Sequence, residues 1–443
     1  MDRRSFAAAV LFLLPFTVLS RLGPLEGALP IYWTCLGSAF LVYGYAWAEN
    51  RAPIGIGTVF AIGVAARLLL LPLPPSDDIY RFIWEGKVSL NGFSPYRFAP
   101  DHPYLAFLRD ADWARINHPH IPTIYPPLAQ ALFRLLARLG PKVLVFKAGF
   151  LACDLAAFFA LSGWLRARRD KGQSFGEGLG GNEGRGESEG WGRTGPARGY
   201  DAHVLAAYFL NPLLIFEVAG RGHFDALAAG LNLAFLWALG SGWAPAWLGM
   251  GGLAKITSLA LAPLLVLREG WRRGSAWVLA SCAAVGLLLW RLGALDVLQR
   301  FATRFRFNGA VAGLLDCAIP FLPAMARDAI LAILLSVVLG ACLWRTRREP
   351  PESQALACLG TVLLFSPTMH PWYLIWLLPF AALRLSRPWL LLTATSLISY
   401  EVYARTSATG AWSERAWLRL PEYLPPLILG AWLAWGRRRE QTE

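Results

Sequence analysis

The sequence predicts an all-α integral membrane protein, a polytopic bundle of about 12–14 transmembrane helices. Of its 443 residues, 56% are hydrophobic and 16% are charged, which is more apolar and less charged than an ordinary soluble domain. Apolar runs of about 17–25 residues, long enough to cross a bilayer, recur from end to end. The net charge of +13 gathers in short segments between these runs, where it sets membrane orientation and does not indicate nucleic-acid binding.

Residues 1–74 contain three predicted spans, near 6–22, 28–48 and 54–73. Arg3 and Arg4 precede the first run, so the N-terminus is expected in the cytoplasm. The first run is similar to a signal peptide. It lacks a clear small-residue cleavage site and leads straight into further spans, which favours a retained helix.

Residues 75–142 are expected to form a long external catalytic loop with juxtamembrane helices, because three crossings precede them. The segment up to residue 123 is polar and aromatic, with acids and bases nearly balanced. Pro126 and Pro127 then suit the first turn of a helix. Apolar residues recur after them at helical spacing, while Arg134 and Arg138 interrupt one side. This pattern favours an amphipathic helix along the outer interface over a full span.

The rest of the chain is predicted to hold one span, a linker and a second bundle. Residues 143–169 form a span that ends in the basic "RARRDK", a cytoplasmic marker. Residues 170–200, rich in Gly, Ser, Glu and Arg, predict a flexible cytoplasmic linker without chemistry. Residues 201–443 form the C-terminal bundle. Its predicted spans lie near 202–218, 225–241, 275–293, 327–344, 354–367, 371–385, 388–403 and 422–436.

Residues 243–267 of that bundle admit two interpretations. They form either one span or two half-helices, with Lys255 in mid-run and glycines before it. The basic "REGWRRG" that follows favours two crossings. The side of the membrane on which Lys255 lies is therefore left open, and its side chain either snorkels to an interface or pairs with a lipid phosphate.

Under this topology, polar and ionisable side chains converge on the outer face. Ionisable groups near a bilayer are costly, so a cluster of them on one side indicates a functional site. The cluster consists of Asp77, Asp78, Arg81, Glu85, His118, His120, Tyr125, Arg221, His223, Asp225, Arg304, Arg306, Asn308 and His370. The six cysteines are scattered without CxxC spacing, which predicts small buried hydrophobes and no disulfide or zinc framework.

The adjacent aspartates Asp77 and Asp78 follow "PPS", a position typical of helix N-caps. Capping and catalysis are compatible roles for them. The turn "GRGHFD" places three ionisable residues between two spans, which is expensive unless they are paired. "RFATRFRFNGAV" alternates arginines with aromatic residues, and arginine forks match the oxygens of lipid phosphate.

These residue types suit the transfer of a sugar from a lipid phosphate. A carboxylate would accept the proton of the attacking hydroxyl, and arginine and histidine would stabilise the charge of the leaving phosphate. Aromatic rings would offer apolar faces to the sugar and the lipid. Asp77 and Asp78 are both candidates for the carboxylate, and the sequence does not choose between them.

Four motifs, in this order, resemble a known family. They are "DDIYRFIWEGKVSLNGFSPYRFAPD…INHPHIPTIYPPLAQ", "NPLLIFEVAGRGHFDAL", "GLAKITSLALAPLLVL" and "SPTMHPWYLIWLLP". Together they resemble the bacterial polyprenol-phosphate-dependent mannosyltransferases of the GT-C superfamily, of the glycosyltransferase family 87 type. The resemblance covers about residues 75–385. The chain departs from many superfamily members in having two extra spans before the acidic pair and a long cytoplasmic linker.

The resemblance implies a GT-C-type bundle that takes mannose from a polyprenyl phosphate, with no nucleotide sugar. It implies that Asp77 or Asp78 is the general base, that His223 and Asp225 face the same cavity, and that His370 lies near the donor phosphate or acceptor. A β-linked donor giving an α-linked product implies single-displacement inversion. The remaining donor-binding candidates are Arg81, Tyr125, Arg221, Lys255, Arg304 and Arg306.

The expected enzyme is a hexosyltransferase of the bacterial cytoplasmic membrane with its active site on the extracytoplasmic face. Its partners would be the lipid-linked donor, a glycan or lipid acceptor and membrane lipids. No cofactor is required by the sequence, and the acidic pair leaves a divalent metal open, as in a metal-dependent lipid-phosphate transferase. The rival from another class is a transporter or flippase of lipid-linked sugars. It predicts inverted repeats and broken helices at the midplane, and no clear repeat is present.

Overall fold

The computed structural model describes residues 3–48, 54–170 and 197–439. Within these ranges the chain is helical and forms no strand, so the predicted all-α fold class is confirmed. The linker predicted at 170–200 lies, from residue 171 to 196, outside the described residues. The α-helices are α1 (Arg3–Leu19), α2 (Leu25–Tyr43), α3 (Ile56–Leu70), α4 (Asp78–Leu90), α5 (Pro127–Leu139), α6 (Val143–Asp170), α7 (Ala197–Phe209), α8 (Pro212–Ile215), α9 (Ala226–Ala238), α10 (Ala244–Ala254), α11 (Pro263–Glu269), α12 (Trp271–Leu292), α13 (Leu295–Arg304), α14 (Ala310–Ala318), α15 (Ala324–Thr346), α16 (Pro351–Phe365), α17 (Leu378–Leu383), α18 (Arg387–Thr395), α19 (Glu401–Thr409) and α20 (Arg419–Arg439).

Several of these helices are long and apolar enough to cross a membrane. In the described ranges there are four, Leu25–Trp47, α6, α12 and α15. Gly199–Phe209 and Pro212–Arg221, which meet at 49°, make a fifth if they are one bent span. A polytopic membrane protein is therefore confirmed. The total of about 12–14 spans stays a prediction, because many of the predicted spans are divided into helices too short for a bilayer of about 30 Å.

The segment at 243–267 is divided into two half-helices. Lys255 has extended backbone angles (φ −147°, ψ 121°) and ends α10. A 3-10 helix at Ile256–Leu261 then leads into α11. The far ends of this hairpin meet, because the Gly240 N–H donates a 2.9 Å hydrogen bond to Oε1 of Glu269. Lys255 therefore lies at the tip of a hairpin, and the single-span interpretation is wrong.

Helix α4, which follows the aspartate pair, packs against α5 with almost no space between the two backbones. A Cβ atom built on Gly86 would lie 2.4 Å from the carbonyl oxygen of Phe133. The rings of Phe82 and Phe133 stack at 4.7 Å across the same contact. The exposed residues of α5 include Arg134 and Arg138, the two arginines that interrupt its apolar pattern.

Buried charges fix the helices beneath the aspartate pair. Nε of Arg67 on α3 lies 2.6 Å from Oδ2 of Asp154 on α6, and both side chains are fully buried. Lys147, also on α6, donates to the carbonyls of Leu71 and Leu73, at 3.0 and 2.6 Å. These bonds hold the end of α3 and the start of the following loop against α6.

Candidate active site

The loop that presents the aspartate pair is tied to the "GRGHFD" turn, about 145 residues further along the chain. The backbone N–H and the hydroxyl of Ser76 both donate to the carbonyl oxygen of Arg221, at 2.9 and 3.1 Å. The Arg221 guanidinium donates back to the carbonyls of Pro74 and Pro75, at 3.4 Å each. Arg221 thus joins two segments that are separate motifs in the sequence.

Asp77 and Asp78 share one neighbour but differ in exposure. Nδ2 of Asn117 donates to Oδ2 of Asp77 at 3.1 Å and to Oδ1 of Asp78 at 2.8 Å. The Asp77 side chain is exposed, while Asp78 is half-buried. Asp77 also accepts the N–H of Asp78 at 3.1 Å, so the expected capping contact is present. Nε2 of His223 lies 3.7 Å from Oδ2 of Asp78, which is an ion-pair distance and too long for a hydrogen bond.

The surroundings shift the pKa values of the two carboxyls in opposite directions. Protein atoms crowd Asp77 although it reaches solvent, and this burial, followed by the charge of Asp78, raises its pKa. Burial would also raise the pKa of Asp78, but the interactions with His223 and Asn117 outweigh it and lower the pKa to about 2. Asp78 is therefore deprotonated at neutral pH. Asp77 is the more basic of the two carboxylates and the more accessible to solvent.

His223 is held between two acids. Its Nδ1 lies 2.7 Å from Oε2 of Glu217, and its Nε2 faces Asp78. Burial alone would lower the pKa of His223, but the two carboxylates raise it to about 9. The turn that delivers the ring depends on Gly222, whose φ of +81° is in the left-handed region. His223 is therefore a buried imidazolium at neutral pH.

An aromatic stack continues from His223 to His370. The His223 ring stacks on Trp372 at 4.0 Å, and Trp372 stacks on His370 at 4.3 Å. Phe307 covers His370 at 4.6 Å. Burial, with the positive charges of His223 and Lys255, lowers the pKa of His370 to about 3. His370 is thus a neutral imidazole.

Lys255 joins this same cluster. Its ammonium lies 3.2 Å from Oδ1 of Asp225 and 4.3 Å from the centre of the Phe224 ring. Tyr125, Tyr373 and Trp376 complete an aromatic cage around it, at 5.9, 5.8 and 5.4 Å. Nε1 of Trp376 donates to Asp225 at 2.7 Å.

The predicted cluster thus divides into residues that meet and residues engaged elsewhere. Asp77, Asp78, His223, Asp225, Lys255, His370 and Tyr125 come together. Arg81 is buried and binds Glu85 at 2.8 Å and the carbonyls of the 117–121 loop, so it holds that loop in place. Arg306 forms ion pairs with Asp316 and Asp328. The side chain of Arg304 lies outside the part of the structure that is described.

The other polar residues of the predicted cluster support the loops. Glu85 accepts hydrogen bonds from Thr123 and Gln130, at 2.7 and 2.5 Å. Asn308 donates to both carboxylate oxygens of Glu422, at 2.9 and 3.0 Å. His118 and His120 are exposed. Glu85 and Asn308 therefore join segments that flank the cluster.

Four members of the assembled cluster were not selected from the sequence: Asn117, Glu217, Trp372 and Tyr400. Tyr400 donates a hydrogen bond to Oε1 of Glu217. Glu217 had a usable signal, since it is a lone acid inside the apolar run "NPLLIFEVAG". Asn117, Trp372 and Tyr400 carry no comparable signal, because amides and aromatic residues are common in such loops. No group of three or more His, Cys, Asp and Glu side chains among the described residues is arranged to hold a metal ion.

The comparisons with known proteins bear on this arrangement. The family model of Glycosyltransferase family 87 matches residues 123–367. The match includes Tyr125, Glu217, His223, Asp225 and Lys255, and it leaves out the aspartate pair and His370. None of the curated proteins matches the chain. Since the matched residues make up more than half of the sequence, the chain belongs to glycosyltransferase family 87 and is a membrane glycosyltransferase.

Proposed function

We propose that the enzyme moves a hexose, mannose in the first instance, from a polyprenyl phosphate to an acceptor hydroxyl on the extracytoplasmic face. The observation that carries this proposal is the aspartate pair, whose Asp78 faces the buried imidazolium of His223 at 3.7 Å, in one cluster with the caged ammonium of Lys255. These three groups come from three distant segments of the chain. A base and two cations in one cluster are the groups required to deprotonate a hydroxyl and to stabilise a leaving phosphate.

In the proposed step, Asp77 accepts the proton of the acceptor hydroxyl. The hydroxyl oxygen forms a bond to the anomeric carbon of the sugar. The bond between that carbon and the phosphate oxygen breaks, and polyprenyl phosphate leaves with the electron pair. One displacement inverts the anomeric centre, so a β-linked donor gives an α-linked product. The raised pKa of Asp77 favours it over Asp78 as the base, because a stronger base takes the proton more readily.

The leaving phosphate would be bound by a smaller set of groups than the sequence suggested. Lys255 and His223 supply positive charge, and neutral His370 supplies a hydrogen-bond donor. Arg81 and Arg221 are left out of this role because they hold the backbone carbonyls of the loops around the aspartate pair, and Arg306 because its partners Asp316 and Asp328 lie outside the cluster. The faces of Trp372 and Tyr373 offer apolar surfaces to the sugar ring and the first part of the lipid.

A panel of polyprenyl-phosphate sugars tests the proposal. The purified protein in lipid nanodiscs is incubated with each donor and an acceptor mixture, and released polyprenyl phosphate is measured by mass spectrometry. We expect consumption of one lipid-linked hexose and none of a nucleotide sugar. Translocation of the donor in proteoliposomes without release of polyprenyl phosphate would favour the transporter instead. Consumption of a nucleotide sugar would overturn the donor assignment.

A further inference from the structure

Glu217 is fully buried in the π-helical turn Phe216–Arg221, inside an otherwise apolar segment. A π-helical turn inserts an extra residue into a helix, and such turns are frequent at functional sites. Tyr400 donates a hydrogen bond to Oε1 of Glu217, and Nδ1 of His223 lies at ion-pair distance, 2.7 Å, from Oε2 without the alignment of a hydrogen bond. The Glu217 carbonyl oxygen also accepts the backbone N–H of His223, at 2.9 Å. Glu217 thus holds His223 by its backbone and by its ring.

We propose that Glu217 is a positioning residue that binds Nδ1 of His223, turns Nε2 toward Asp78, and thereby reserves Asp77 as the base. The inference rests on the proposed function. Its geometric basis is the chain of contacts from Tyr400 through Glu217 and His223 to Asp78.

This chain explains how two adjacent aspartates acquire different roles. An imidazolium fixed by Glu217 neutralises the Asp78 carboxylate. Among the described residues no cation forms an ion pair with Asp77, which shares the amide of Asn117 and feels the charge of Arg221 only at longer range. Without Glu217, the His223 ring keeps its stack on Trp372 but loses the carboxylate at Nδ1 that fixes its rotation and stabilises its proton. Asp78 would then compete with Asp77 for the proton of the acceptor.

The titratable groups around His223 come from three elements. Asp78 lies at the start of α4, Glu217 lies in the π-helical turn, and His370 lies in the loop before Trp372, beyond the stacked indole. His370 adds no positive charge while it is neutral. Removing the charge of Glu217 therefore leaves Asp78 as the remaining acid in contact with the ring, and the pKa of His223 should fall.

The activity test compares Glu217→Gln with Glu217→Asp. We expect Glu217→Gln to lower kcat about 10- to 100-fold, the range found when a side chain that orients a metal-bound histidine is removed. The alkaline limb of the pH–activity profile of Glu217→Gln should also move to lower pH. Glu217→Asp keeps the charge and should recover part of both losses. Glu352→Gln is the matched control, because Glu352 is a fully buried helical acid that pairs with Arg168 away from the cluster.

A second measurement needs no turnover. Hydrogen–deuterium exchange at Cε1 of His223, followed by peptide mass spectrometry across pH, gives the pKa of that ring. We expect a midpoint near 9 in the wild type and in Glu352→Gln, and a lower midpoint in Glu217→Gln. An unchanged midpoint in Glu217→Gln overturns the inference. A lowered midpoint in a protein that consumes no lipid-linked sugar would preserve the Glu217–His223 pairing and contradict the proposed function alone.

Discussion

At the scale of single residues, the candidate site separates two carboxylates that are neighbours in the sequence. Asp78 points toward His223 and is stabilised as an anion, while Asp77 stays exposed and has a raised pKa. From the sequence the two were equivalent, because their difference depends on a histidine about 145 residues away. The difference in exposure and pKa between Asp77 and Asp78 therefore arises only in the folded chain.

The pKa shifts predict a bell-shaped dependence of kcat/KM on pH. His223 is charged below its raised pKa of about 9, so activity should fall as the pH rises through that value. Asp77 must be deprotonated to act as a base, so the acid limb should lie above 3.8, the ordinary value for an aspartate. The measurement is the rate of donor consumption across pH in nanodiscs. An alkaline limb that persists unchanged in His223→Gln would contradict this assignment.

Lys255 gives a second prediction at this scale. Lys255→Met keeps the length of the side chain in the aromatic cage but removes its charge. We expect kcat/KM for the lipid-linked donor to fall about 10- to 100-fold, the effect of losing one hydrogen bond to a charged group. Lys142→Met, at an exposed position, is the control and should match the wild type. Equal kinetics in the two variants would exclude Lys255 from donor binding.

At the scale of elements, the close contact between α4 and α5 positions the aspartate pair. Gly86→Ala would push a methyl group into the Phe133 backbone, and such overpacking costs about 1–3 kcal/mol. Gly37→Ala is the control, since nothing lies within 4 Å of the added atom on α2. We expect the apparent melting temperature in detergent to fall only for Gly86→Ala. Equal melting temperatures would show that the contact tolerates a methyl group.

Some elements of the fold could be predicted from the sequence, and others could not. Helical periodicity and length predicted α5 and α6, because apolar spacing is a local property of the chain. The break at Lys255 could not be decided, since its extended backbone depends on Asp225 and an aromatic cage from other segments. Arg81 and Arg306 were predicted to bind phosphate from residue type, and the sequence did not show the carbonyls and carboxylates that they bind in the fold. Residue type predicted the kinds of groups at the site, and only the folded chain assigns their partners.

At the scale of the whole molecule, the buried pair of Arg67 and Asp154 joins α3 to α6. Asp154→Ala would leave an uncompensated buried charge, which typically costs about 3–5 kcal/mol. Asp110→Ala removes the partner of Lys87 at a partly exposed pair and should cost at most about 1 kcal/mol. The free energy of unfolding in mixed micelles measures both. A similar small loss in the two variants would contradict a structural role for the buried pair.

The orientation of the bundle gives another whole-molecule prediction. Phe107 is 66% exposed in the loop that follows the aspartate pair, and Trp271 is 77% exposed at the start of α12. We expect a membrane-impermeant maleimide to label Phe107→Cys in intact cells, and Trp271→Cys only after permeabilisation. The wild-type chain, with its own six cysteines, gives the background. The reverse pattern would put the candidate site on the cytoplasmic side.

The central claim is that Asp77 is the base in sugar transfer from a lipid phosphate. Its most direct test is the rate at which Asp77→Asn releases polyprenyl phosphate from the donor, with donor binding measured in parallel. We expect turnover to fall about 100- to 10,000-fold, the usual contribution of a general base, while the donor still binds. Turnover by Asp77→Asn at the wild-type rate would contradict the claim.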